Sequence, residues 1–143
     1  MRRLYESGFL AEKHISTIAE ELIKYLQEGD VIIFSGDLGA GKTTLIKLIC
    51  SFWNIPEVSS PTFNIVNEYF GDHKVYHFDF YRVDDAGELT DIGFEDYLND
   101  LSAFVIIEWG EKFPSLLPHQ RKEVQIIFSE DNLSRKYILY ENE

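Results

Sequence analysis

VIIFSGDLGAGKT, residues 31–43, carries an apolar run straight into a glycine-bearing segment. Val31, Ile32, Ile33 and Phe34 form the kind of continuous apolar stretch found in strands buried on both faces. Beyond them, Leu45, Ile46, Leu48, Ile49 and Phe52 supply the apolar face of a helix predicted from Lys42 to Trp53. Strand, glycine loop and helix in that order are the context a P-loop needs, and Gly36, Gly41, Lys42 and Thr43 satisfy G-x-x-x-x-G-K-[ST]. Gly36, Gly39 and Gly41 let several backbone N–H groups converge on phosphate oxygens, and the helix adds its first-turn donors and positive dipole end. Lys42 would span the β- and γ-phosphates, and the Thr43 hydroxyl would ligate Mg²⁺. Asp37, Leu38, Gly39, Ala40, Gly41, Lys42, Thr43 and Thr44 are thus candidate nucleotide-binding residues. No guanine-reading N-K-x-D motif is present, and the residues alone do not choose between ATP and GTP.

Upstream, Ile15, Ile18, Ala19, Leu22, Ile23 and Leu26 recur at helical spacing, so residues 12–27 read as an amphipathic helix, with Gly29 placed for a left-handed cap. Downstream of Pro61, FNIVNEY (63–69) and HKVYHFDF (73–80) are strand-like and separated by Gly71-Asp72, a hairpin signal. Residues 84–100 are acidic and predict short helices. FVIIEW (104–109) is a second fully apolar strand, and VQIIF (124–128) and KYILY (136–140) add two more. The expected fold is α/β: one P-loop NTPase domain over residues 1–143, a mixed sheet of about seven strands flanked by helices, parallel at the nucleotide site.

The 143 residues include 45% apolar and 15% aromatic side chains, enough for one sizeable core. No apolar stretch approaches a membrane span, and MRRLYESGFL lacks the long apolar core of a signal peptide. The single cysteine, Cys50, lies among Leu48, Ile49 and Phe52 and reads as a buried thiol in a reducing compartment, hence a cytoplasmic protein. With 25 acids against 13 bases the net charge is −12, a field that opposes a large direct nucleic-acid footprint. A role in nucleic-acid biology would run through partner proteins.

A P-loop enzyme also needs an acid near Mg²⁺ and a group to orient the attacking water. Glu108 ends the FVII strand, which would deliver it to the sheet edge beside the loop, where open α/β sheets hold ligands. Asp79 lies in VYHFDFYR, whose Val75, His77, Asp79 and Tyr81 share one face of an expected half-buried strand. A buried acid there requires a metal or a partner, either catalytic or an ion pair with Arg82 or His77. His77 reads as a base or, more simply, a hydrogen-bonded structural residue. Trp109 packs on nucleotide or a partner, or else serves as a core or rim aromatic. Ser60-Pro61-Thr62 falls where a hydroxyl could sense the γ-phosphate. The acidic run from Asp84 to Asp100 is most simply a solvated face.

GDLGAGKTT (36–44), SPTF (60–63), HFDFYR (77–82) and IEWGE (107–111), in this order and spacing, resemble the TsaE (YjeE) family of small bacterial P-loop ATPases over nearly the whole chain. The resemblance implies participation in making threonylcarbamoyladenosine in tRNA, with ATP hydrolysis supporting turnover of a TsaB–TsaD heterodimer and tRNA met only indirectly. It implies Lys42 on phosphate, Thr43 and Glu108 at Mg²⁺, Asp79 at the catalytic centre and Thr62 in a switch-like loop. It also implies Trp109 near the nucleotide, framed by Glu12 and Arg135. Many members carry proline where this chain has Gly110. Two other classes compete. A small-molecule kinase would need a lid rich in phosphate-binding arginines, whereas only Arg82 and Arg121 lie between the P-loop helix and the tail. A nucleotide-gated binding module would leave Asp79 and Glu108 pointing away from the γ-phosphate. With no internal arginine finger, hydrolysis is expected to be slow alone.

Overall fold

Strand β2 (Val31–Ser35) lies at the centre of a seven-stranded sheet, and its alternating side chains feed two separate cores. The computed structural model describes residues 1–37, 39–59 and 64–142. The other strands are β1 (Arg2–Leu10), β3 (Val66–Phe70), β4 (Lys74–Asp79), β5 (Ala103–Glu108), β6 (Arg121–Phe128) and β7 (Arg135–Asn142). Their order is β1-β7-β6-β2-β5-β4-β3. The central pairs β2–β5, β2–β6 and β4–β5 are parallel; the outer pairs β1–β7, β6–β7 and β3–β4 are antiparallel. Ile32 and Phe34 face α1 (Ile15–Ile23) and α2 (Lys42–Phe52), packing with Leu22, Leu45, Ile46 and Ile49. Val31 and Ile33 face the opposite layer, where α3 (Ala86–Asp91) and α4 (Phe94–Leu98) bring Leu89 and Phe94 onto Phe78, Phe80 and Ile107. The expected fold class, a mixed sheet flanked by helices, is what the chain adopts.

Three local expectations need correction. The helix expected over residues 12–27 is a 3-10 turn at Glu12–His14 followed by α1, which stops at Ile23. Lys24, Tyr25 and Leu26 donate to the carbonyls three residues back, the tighter closure typical of a helix end. Gly29 (φ 94°) therefore turns the chain into β2, its N–H on the Ala103 carbonyl, and does not cap the helix. Strand β1 has no counterpart in the sequence reading: register shifts between Arg3 and Tyr5 and between Glu6 and Phe9 break its alternation. Finally, β4 is buried on both faces. Val75 joins the α1/α2 core, while Tyr76 and Phe78 join the α3/α4 core, because a helical layer covers each face of the sheet at this strand.

Among the described residues no helix is long and apolar enough to cross a membrane.

Candidate functional site

The parallel register brings three strand ends to one edge: Phe34 of β2 pairs with Glu108 of β5, which pairs with Asp79 of β4. The glycine loop leaves β2 at the same edge. Gly41 (φ 97°, ψ 23°) sits in the left-handed region as the N-cap of α2, a conformation that L side chains resist. Its carbonyl accepts from Leu45, so Lys42 and Thr43 begin the helix with their side chains over the strand ends.

Lys42 is only 5% exposed. Its ammonium donates to the Gly36 carbonyl at 2.9 Å and lies 3.6 Å from the centroid of the Trp109 ring. Burial pushes this lysine's pKa down, against the opposing pull of Glu111, Glu108, Asp79 and Asp37. The Thr43 hydroxyl donates to Glu108 Oε1 at 2.9 Å. Glu108 Oε2 accepts from His77 Nε2 at 2.7 Å, with histidine and glutamate 0% and 3% exposed. Glu108 is thus a buried, paired carboxylate and no surface strand end. Asp79 Oδ1 accepts from the Tyr81 N–H at 2.9 Å. Burial raises the Asp79 pKa, the Tyr81 bond lowers it, and the Glu108 charge raises it further. Among the described residues no ion pair joins Asp79 to Arg82 or His77; the histidine pairs with Glu108 instead.

A cavity of about 390 Å³ opens between these groups. Of the expected residues, Glu12, Gly39, Gly41, Lys42, Thr43, Thr44, Asp79, Glu108 and Trp109 line it. Others do not. Asp37 is exposed beside it, its carbonyl accepting from the Ala40 N–H at 2.9 Å, and the Ala40 side chain is in the α1/α2 core. Arg135 stacks over Phe128 at 4.9 Å and lies 3.7 Å from Glu12, so it reaches the cavity only through that acid. Leu38, Thr62 and the rest of SPTF lie outside the described residues. Trp109 holds φ 61°, an uncommon left-handed angle for an aromatic residue, and turns its ring onto Lys42. Tyr81 lines the cavity and meets Trp109 at 5.1 Å between ring centroids; only its place in the Val75–His77–Asp79–Tyr81 alternation hinted at it. Lys112, which no sequence pattern marked, donates to the Tyr81 and Val83 carbonyls at 2.8 and 2.7 Å, clipping the turn that follows Asp79.

Chemically, the cavity offers a buried ammonium, first-turn helix donors and a hydroxyl–carboxylate pair. Among the described residues no group of three or more His, Cys, Asp or Glu could hold a metal by itself. The Thr43 hydroxyl and the Glu108 carboxylate are oxygen donors in the cavity that could hold a hard cation. A larger groove of about 710 Å³ lies elsewhere, between α4 and residues 115–118, and contains none of these groups.

The family model described as threonylcarbamoyl adenosine biosynthesis protein TsaE matches residues 10–137. The tRNA threonylcarbamoyladenosine biosynthesis protein TsaE of Haemophilus influenzae is 39% identical over 116 residues, covering 79% of this chain and 73% of its own. The protein of the same name from Borreliella burgdorferi is 36% identical over 114 residues, covering 79% and 83%. The crystal structure of Bacillus subtilis YdiB is similar at a TM-score of 0.76 and 25% identity, covering 99% of this chain and 87% of that one.

Proposed function

This chain belongs to the TsaE family of threonylcarbamoyl adenosine biosynthesis proteins, and we propose that it serves tRNA modification as a Mg²⁺-dependent ATPase. The observation that carries this reading is the Thr43–Glu108 hydrogen bond at 2.9 Å beside the buried Lys42 ammonium. A P-loop hydroxyl and an acid at a neighbouring strand end are the usual protein ligands of the nucleotide's metal. Thr43 and Glu108 would hold magnesium, which would supply positive charge to offset that of the phosphates. Lys42 exchanges its Gly36 carbonyl and Trp109 ring contacts for phosphate oxygens. The Gly41 turn and the first N–H groups of α2 receive the remaining phosphate charge. Asp79, its carboxyl raised by burial, orients the attacking water.

Asp79 and Glu108 both facing the one cavity favour hydrolysis over a passive binding module. Among the described residues lining the cavity, Lys42 is the one cation, which disfavours a kinase with an arginine lid and leaves a partner to stabilise transition-state charge. That partner is a TsaB–TsaD-like heterodimer. The net charge of −12 fits a cytoplasmic helper that meets tRNA through it.

The test is MgATP binding by calorimetry and hydrolysis with and without TsaB–TsaD. Binding by the wild type, slow turnover alone and acceleration by the heterodimer are expected. Lys42→Ala should lose turnover by at least about 100-fold, since it removes the charge on the phosphates. Unchanged affinity and turnover in that variant would sink the assignment.

A further inference from the structure

His77 is fully buried on β4, one strand over from Glu108, and among the described residues its side chain makes one hydrogen bond: Nε2 donates to Glu108 Oε2 at 2.7 Å. Its other ring nitrogen, Nδ1, has no hydrogen-bond partner among the described residues. A histidine kept for core stability would satisfy both nitrogens or give way to an apolar side chain, since a buried polar atom left without a partner is destabilising. Replacing a buried polar pair by packed apolar groups is often neutral or better for stability. The contact to Glu108 is what the histidine offers in return. It divides the carboxylate: Oε2 goes to His77 and Oε1 to Thr43 at 2.9 Å. With both oxygens engaged, rotation about the last side-chain bond of Glu108 is blocked. Tyr69 lies tilted beside the imidazole, 6.3 Å between ring centroids.

We propose that His77 is a positioning residue that locks the Glu108 carboxylate so that Oε1 stays aimed, with the Thr43 hydroxyl, at the cation site. This rests on the Mg²⁺-nucleotide reading of the cavity and deepens it. The carboxylate can only accept, so Nε2 carries the proton. The neutral Nε2–H tautomer and the charged ring both supply that donor, so no change of protonation is required. Partners that orient a metal-binding side chain from behind commonly govern metal affinity by about 10–100-fold when removed.

The test measures Mn²⁺ affinity in the presence of ATP by electron paramagnetic resonance of free Mn²⁺, and ATP affinity in EDTA by tryptophan fluorescence. His77→Leu is expected to weaken Mn²⁺ by about 10–100-fold, with ATP affinity in EDTA unchanged. Should the leucine variant not fold, two amides carry the comparison. His77→Gln can place an N–H near the Nε2 position and should restore most of the affinity. His77→Asn is too short and should remain weak. Wild-type Mn²⁺ affinity in the leucine or asparagine variant overturns the proposal. So does a glutamine variant as weak as asparagine, or equal losses with and without metal. A wild-type protein that binds neither ATP nor Mn²⁺–ATP instead defeats the nucleotide reading itself.

Discussion

Gly71 holds together the two elements that build the site, and replacing it with alanine should cost the fold about 2–4 kcal/mol. The β3–β4 hairpin turns at Gly71 directly against the end of α2, whose other end carries Lys42 and Thr43. A Cβ at residue 71 would lie 2.4 Å from the Trp53 carbonyl oxygen, 2.6 Å from Ile55 Cγ1 and 2.9 Å from the Asn54 carbonyl oxygen. Two of those atoms are backbone and cannot turn aside, so the turn must back away from the helix. Overpacking of this kind costs about 1–3 kcal/mol. Backing away also stretches the 2.7 Å bond from the Asp72 N–H to the Trp53 carbonyl and the 2.8 Å bond from Asn54 to Asp72. Such bonds contribute about 0.5–1.5 kcal/mol apiece, the exposed one least. At roughly 3–4 °C per kcal/mol for a chain of this size, the thermal midpoint should fall by about 6–15 °C. Urea unfolding followed by circular dichroism measures the free energy itself. Gly8→Ala is the control: its Cβ would meet nothing within 4 Å, and φ +73° leaves only backbone strain, about 1–2 kcal/mol. A Gly71→Ala midpoint within about 2 °C of wild type, or losses no larger than those of Gly8→Ala, would refute the steric account.

Asp79→Asn should abolish turnover and yet raise the thermal midpoint near pH 8. Burial raises the Asp79 pKa above its ordinary 3.8, so ionising it in the fold costs stability. That cost is complete above the folded pKa and vanishes as pH falls to the unfolded value, so the variant's advantage should shrink towards pH 4. An advantage that grows on acidification would contradict the sign. Cys50 is fully buried and its thiol is pushed up to about 12, so Ellman's reagent at pH 8 should label it only as urea unfolds the chain. Rapid labelling of the native protein would show the α1/α2 core to be open.

The residues legible in the chain are those whose roles are local. Glycines at set offsets make the loop, a continuous apolar run makes β2, and the helix that follows orients Lys42 and Thr43. None of this needs a distant partner. Glu108 was legible by one further step, because a fully apolar strand next to a P-loop must end where the loop is. What lay beyond reach depended on pairs far apart in sequence. Strand β1 exists because β7 offers its edge, and its bulged alternation carries no period to read. The burial of β4 on both faces follows from its neighbours β3 and β5 and the helices that cover them. Arg135 was placed by its long-range contact with Glu12 and not by any local pattern.

The sequence by itself therefore determined the glycine-bearing loop and the strand that feeds it, since spacing and backbone freedom within a dozen residues suffice. Tertiary structure alone decided which carboxylate meets Thr43, which ring lies on Lys42, and which histidine holds Glu108 in place. Those contacts bridge 65, 67 and 31 residues of chain (43 to 108, 42 to 109 and 77 to 108), and they form because the parallel register of β4, β5 and β2 sets their ends at one edge, where the start of α2 lies over them.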